Sequence, residues 1–525
     1  MAENEEILSY IKRAFELKEQ ECYKQAIEML YKAIALEPDN TEILFQIGEL
    51  YYMLNNYTRA IQYPEQVLEQ DGNHIPSLKL LKNICLKQNE LYRAKETAEK
   101  IYELEKTDEN LSSLIDIYGK LDLFEEIEQY TSEIERSELC LLAYAKTCYN
   151  ALKIDKAETI TDKALCINPE NEDLLVLKGK ILFDKNEPEK AKAIFSKFDK
   201  NTTNPEVLNY LGLFATDELN FIEAIKYFSK AGNLDKNNPR YLFNLGNAYY
   251  LNGWYEESVA AYQKAILLAP ENCEYRYAIA YAYYEHNSFD KAKKEVDYIL
   301  LNNNTHAGAK VLRALLMFHD KNFIEAENIL KSNIASGSND NFTLSSIAKI
   351  EAELGKYENA ENHIKEILKR TNHNLSYKYD LGEIYIREKK YTEAISIANE
   401  ILEENPNYID GYILGAKAAY NNNNLDEAKK YAQEALSTDI NCDGGYYYLA
   451  MVRKNEGDYE EAVECMKRAI MYNVNNAEYY AEMADIYRLS GDNKTAFEYV
   501  KEAENIDSSE EYKQLFRQYA AMNRK

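Results

Sequence analysis

The chain has 525 residues and a formal net charge of -27, from 62 Lys and Arg against 89 Asp and Glu. A surface this negative repels phosphate backbones and anionic headgroups, which argues against nucleic acid and membrane as partners. With 46% apolar residues the chain can bury a core, and no apolar run approaches the roughly 18 residues of a membrane span.

The opening MAENEEILSY is acidic and lacks the basic-then-apolar layout of a secretory leader, so residues 1–6 are expected to form an N-terminal tail. The eight cysteines form no C-x-x-C pair and fit no zinc or disulfide framework, which favours a reducing compartment. Together these features predict a cytoplasmic protein.

A small residue then recurs with a fixed period. Ala26, Ala60 and Ala94 lie 34 residues apart, as do Ala157 and Ala191. From Ala224 the spacing holds without a slip through Ser258, Ala292, Ala326, Ala360, Ala394, Ala428, Ala462 and Ala496. With this residue numbered 20, position 8 holds Gly48, Gly179, Gly212, Gly246 and Gly382, and alanine at 280, 348, 416, 450 and 484. Position 11 holds Tyr51, Tyr249, Tyr283, Tyr385 and Tyr487, and position 27 holds Ala33, Ala164, Ala231, Ala265, Ala435, Ala469 and Ala503. Position 32 holds Pro38, Pro169, Pro270 and Pro406. Two antiparallel helices in close contact need small side chains at 8 and 20, since a larger one overpacks at about 1–3 kcal/mol. A ring at 11 fills the remaining gap. Proline at 32 ends the second helix, and the polar residues after it can cap the next.

Fifteen such units run from about Ile7 to Ser508. Their period and residue types resemble the tetratricopeptide repeat family. That resemblance implies an all-α fold, a superhelix (α-solenoid) of antiparallel helix pairs with an inner groove that binds partner proteins. The expected organisation is repeats 1–3 at 7–107, an irregular short repeat at 108–137, regular repeats 5–15 at 138–508 and a capping helix at 509–525.

Three departures stand out along the chain. Pro64 falls inside the second helix of repeat 2 and should kink or shorten it. Repeat 4 is short, has Ile127 in place of the small residue and lacks a proline stop, which predicts a bend or hinge there. After the last repeat, Ser508 and Glu511 have capping-box spacing, and Tyr512, Leu515, Phe516, Tyr519 and Met522 form one apolar stripe. Ser336-Gly337-Ser338 and the run Asn421–Asn424 read as turns.

Positions 2, 5, 9 and 12 of the first helix share one side, which lines the inner groove in the family. Here that side is rich in aromatics: Phe45, Tyr52, Phe318, Phe342, Tyr379, Tyr420 and Tyr447, with Lys146, Lys349 and Lys417 among its polar members. The densest group is Phe243, Asn247 and Tyr250 with Tyr277, Tyr281 and Tyr284. Aromatic side chains offer large contact area at low entropy cost, so these six are the candidate partner-binding residues, gripping a protein or peptide segment. Some of these rings must also pack between neighbouring repeats.

The expected function is therefore a non-enzymatic scaffold or adaptor. The alternatives are a co-chaperone-like protein and a regulatory subunit serving a separate catalytic chain. Self-association is left open. The Lys/Asn clamp that resemblance to the co-chaperone branch requires is mostly missing: Lys79 and Asn83 are present, but the following units offer Ser113, Leu139 and Ala143. No P-loop, dinucleotide fingerprint, nucleophile elbow or H-E-x-x-H motif occurs. No catalytic residue, cofactor or metal ligand set is assigned. An RNA-binding relative with a longer repeat and basic faces disagrees with both period and charge.

Overall fold

The computed structural model describes residues 2–198, 202–371 and 374–522, with side chains from residue 5. The described residues form helices and no strands, arranged as consecutive pairs in which each first helix packs on its own second helix. Two compact units, Met1–Leu268 and Ala269–Lys525, divide the chain just before Pro270.

The periodic features have local causes. The second helices ending at Leu36, Ile167, Leu268 and Glu404 all stop two residues before a position-32 proline. Asn40, Asn171 and Asn272 then cap the next helix, their side chains accepting from the N–H groups of Ile43, Leu174 and Glu274. The position-20 alanines are fully buried. Ser258 is buried too, and its hydroxyl donates to the Tyr255 carbonyl at 2.7 Å, so the one polar member of the series leaves no donor unsatisfied.

Between the two helices of every unit, position 15 adopts a left-handed backbone, from Glu21 and Asn55 to Gly457 and Gly491, with φ between 55° and 92°. Asparagine and glycine tolerate this conformation, whereas leucine is strained in it. Leu152 (φ 58°) and Leu219 (φ 60°) occupy it with side chains 82% and 75% exposed, so neither recovers the strain by packing. Leu219→Asn is therefore expected to stabilise its unit by about 0.5–1 kcal/mol. A melting temperature equal to or below that of the parent chain would contradict this.

In several repeats position 8 is matched in size by position 24, a pairing not evident from the small residues alone; Gly382 is an exception, its space taken by Leu414 of the next repeat. A Cβ at Gly179 would lie 2.5 Å from the Phe195 ring, and one at Gly212 or Gly246 would lie 2.6 Å from Phe228 or Tyr262. Where position 8 is alanine, as at Ala280 and Ala348, position 24 is the aliphatic Val296 or Ile364, both fully buried. Each pair fills its space to interior density without overpacking.

Repeat 2 shows the effect of its proline. The second helix breaks into Tyr57–Ala60 and Gln62–Gln70, with the break at Ile61. In repeat 4 the second helix is reduced to Phe124–Glu128 and Thr131–Ile134. Its first helix, Asp108–Lys120, packs directly along the first helix of repeat 5, Glu138–Asn150. Gly119 permits this approach, since a Cβ there would clash with the Thr147 side chain. Ile127 is fully buried, in one continuous core with Leu114, Ile117, Cys140 and Cys148.

Both ends differ in detail from expectation. Residues 2–6, expected as a tail, are the start of the first helix, Ala2–Glu19. The helix Glu510–Met522 lies on the last repeat, with Leu515, Phe516 and buried Tyr519 against Ala484, Ala496 and Val500. Met522 is 47% exposed and outside this contact, and residues 523–525 lie outside the described residues. The bond at the helix entry is Ser509 N–H to Asp507 rather than a Ser508–Glu511 box.

Candidate functional site

The six candidate residues fall on both sides of the division between units, and each half has its own geometry. In the first unit, Phe243 and Asn247 lie on the first helix of repeat 8, Pro239–Leu251, and both lean on Tyr262 of the second helix. The Tyr262 hydroxyl donates to Asn247 Oδ1 at 2.7 Å, and the Phe243 ring sits 5.9 Å from the Tyr262 ring. Tyr262 can reach them because Gly246 leaves its ring room. Burial pushes the Tyr262 hydroxyl far above its ordinary range, so it stays a neutral donor. Tyr250, half-buried, lies in the last turn of the same helix.

In the second unit, Tyr277 and Tyr281 lie on the first helix of repeat 9, Cys273–Glu285, with ring centroids 6.4 Å apart. Tyr277 packs against His306 at 5.3 Å and over Gly308, where a Cβ would come within 2.8 Å of the ring. Burial pushes its hydroxyl up to about 12. Tyr281 meets Phe342 of repeat 11 edge-on at 5.9 Å, reaching past the first helix of repeat 10. His306 caps that helix: its Nδ1 accepts from the Ala309 N–H at 3.1 Å, and its Nε2 lies 3.3 Å from Glu274. The three rings Tyr277, Tyr281 and Phe342 thus form one half-buried aromatic strip across three repeats.

Tyr284 turns away from this strip and pairs with Phe289 at the start of its own second helix, 5.8 Å away and edge-on. The same position-12 to position-17 ring pair recurs at Tyr52 with Tyr57 and Phe318 with Phe323. These rings close the helix hairpin from the side. Tyr447 is 8% exposed, stacked on Tyr479 at 5.0 Å with its hydroxyl on Glu478. It belongs to the contact between neighbouring first helices rather than to an open face.

Charges on the same face are largely internal. Lys417 pairs with Glu383 at 2.7 Å, and Lys454 with Glu482 and Asp485, both at 2.7 Å. Lys79, the one lysine placed for a carboxylate clamp, is held by Glu105 at 2.8 Å. Among the described residues no group of three or more His, Cys, Asp or Glu is positioned to hold a metal ion, and no helix is long and apolar enough to cross a membrane. Sequence reading missed Tyr262, His306 and Gly308. The available signal was glycine at positions 2 and 8, where an aromatic neighbour takes the space.

Comparison with known proteins follows the same repeats. Tetratricopeptide repeat patterns match residues 17–84, 239–272, 351–420, 386–452, 444–476 and 477–510. A TPR repeat-containing protein of Methanocaldococcus jannaschii, MJ1428, is 22% identical over 308 residues, covering 51% of this chain. The chain spans about half of that relative, 53% of its length. Among solved structures, the APC/C hetero-tetramer Cut9–Hcn1 aligns over 91% of this chain and 96% of its own, at 14% identity and a TM-score of 0.45. Yeast Tom70 aligns over 92% and 96%, at 13% identity and a TM-score of 0.43. The matched segments carry the position-8, position-20 and position-32 residues that build the helix pairs, and the chain belongs to the tetratricopeptide repeat family.

Proposed function

We propose that the chain is a protein-interaction scaffold that holds a segment of a partner protein on the first-helix face of its repeats. The observation that carries this reading is the strip Tyr277–Tyr281–Phe342, three half-buried rings spanning repeats 9 to 11 on one face. Large rings at low entropy cost, partly exposed and held in place by neighbours, suit recognition of an extended or helical segment. Phe243 and Asn247, fixed by Tyr262, offer a second contact in the first unit. Tyr250 and Tyr284 complete the proposed set, Tyr284 through its support of the hairpin. The net charge of -27 favours neutral or basic segments over nucleic acid or anionic membrane. Scaffolding without catalysis, in the cytoplasm, is the setting this reading implies.

The test is selection of binders from a random peptide library displayed on phage. Tyr281→Ala is expected to weaken the selected peptides about tenfold, a loss of about 1.4 kcal/mol, with the melting temperature within a few degrees of the parent. Unchanged affinity in a folded Tyr281→Ala variant would move the binding face elsewhere.

A further inference from the structure

The position-12 row in the second unit runs Tyr284, Phe318, Ala352, Ile386 and Tyr420. At Ala352 the row loses its bulk. There a cavity of ≈ 190 Å³ opens between repeats 10, 11 and 12. Its floor is Phe318, Ala348, Ala352, Ile364 and Ile384, and its rim carries Lys349, Glu353, Asp380, Glu383 and Arg387. The Ala348/Ile364 pair at positions 8 and 24 has no ring, so nothing aromatic fills the space from below. The volume is under the roughly 300 Å³ at which small-molecule sites begin and suits a single long side chain.

The rim charges are not equivalent. Glu353 is bound to Arg387 at 2.7 Å. Glu383 is bound to Lys417 at 2.7 Å and accepts from Tyr379 at 3.2 Å. Asp380 is half-buried and forms no hydrogen bond or ion pair among the described residues. Its burial pushes the carboxyl above the usual range, with Lys349 only partly opposing the effect. Lys349 is itself exposed and solvated. A poorly solvated carboxylate without a partner is costly, and a cation that brings its own hydrogen-bond donors relieves that cost. An aliphatic stem on the same group would fill the apolar floor.

We propose that this cavity binds one lysine or arginine side chain of the partner segment, its stem on Phe318, Ala352 and Ile384 and its head on Asp380. This rests on the first-helix face being the partner surface. It adds the chemistry of one anchor: a basic residue that would lie among the groups contacting the aromatic strip.

The experiment uses a peptide selected from the random library against the full chain. Each of its basic residues is replaced in turn by norleucine, which keeps the stem and removes the charge. Binding is measured by fluorescence polarisation to the parent chain, Asp380→Asn and Tyr281→Ala. The expected result is one basic residue whose norleucine replacement weakens binding about tenfold to the parent chain and less than about twofold to Asp380→Asn. Asp380→Asn is nearly isosteric at a half-buried site and removes a charge that burial disfavours, so a melting temperature at or above that of the parent chain is expected and would show that the variant is folded. Ala352→Leu, which fills the cavity, is expected to weaken the same peptide. Selected peptides that bind the parent and Asp380→Asn equally, while Tyr281→Ala weakens them, would overturn the pocket and leave the face standing. Peptides indifferent to both variants, or a library that yields no binder, would overturn both.

Discussion

Phe228→Ala is expected to cost the first unit about 3–5 kcal/mol, the largest loss of any single truncation proposed for this chain. Phe228 is 1% exposed, lies in the core of repeat 7 with Ala224 and Ala248, and covers Gly212. Removing the ring opens a void beside a residue that has no side chain to fill it. The backbone on both sides is helical and resists collapse. The converse change is also damaging: a side chain at 212 starts with its Cβ 2.6 Å from the ring, so Gly212→Val overpacks the same contact. The two changes together should cost less than their sum, because the valine occupies part of the space the ring has left. Thermal melting and hydrogen exchange of repeats 7 and 8 would measure this. A fully additive double variant would show that the two positions do not share a void.

Glu351→Gln is expected to stabilise the second unit by about 2 kcal/mol at pH 8 and by almost nothing at pH 4.5. Glu351 stands at position 11, where other repeats carry tyrosine, and is 1% exposed. One of its carboxylate oxygens has no hydrogen-bond partner. The groups facing it are Lys331 and Glu327 on the second helix of repeat 10, Lys356 in the turn, and His363 on the second helix of repeat 11. Lys331 and Lys356 are drawn to Glu327, at 2.7 and 2.6 Å. Lys331 is 3.9 Å from Glu351, and the His363 Nε2 is 3.5 Å from it. Burial is therefore only partly offset, and the carboxyl is pushed up to about 6.

The sign follows from linkage. A carboxyl whose folded value is raised holds its proton more tightly in the fold than in the unfolded chain. Its stabilising effect is complete below about 4.5 and disappears as the pH rises through about 6. Glu327 and His363 act in the opposite sense. Both are held below their ordinary values, Glu327 by its two lysines against the cost of burial and His363 by burial, and both lose stability as the pH falls. The difference between parent and Glu351→Gln isolates the one group. A melting-temperature gap that stays constant from pH 8 to pH 4.5 would contradict the assignment.

The helix pairs were legible in the sequence because their causes are local. A proline ends a helix within a few residues, and an asparagine two residues after it caps the next. The alanine of position 20 recurs at a fixed distance. Each can be read within one 34-residue window. The binding face was less legible because its geometry is set between windows. Tyr281 is positioned by Phe342 two repeats on, and Tyr447 is covered by Tyr479 of the next repeat. Tyr284 looked equivalent to Tyr281 by angle along the helix, but the ring at Phe289 draws it toward the turn. A count of positions 12 and 17 together would have separated the two. The pairing of positions 8 and 24 was also within one window. It is less visible because the glycines stand out alone, whereas position 24 varies from alanine to phenylalanine and makes sense only as a partner.

That pairing constrains how such a chain can be rearranged by recombination. Gly212 with Phe228 and Ala348 with Ile364 are each complete within one unit, divided by the turn between the two helices. A crossover in the loop between repeats moves both members together and keeps these pairs intact. A crossover in the turn within a unit joins Gly212 to Ile364 or Ala348 to Phe228, giving a void in one product and a clash in the other. Although the period is the same wherever it is counted from, the heritable block begins at the first helix and ends after the second.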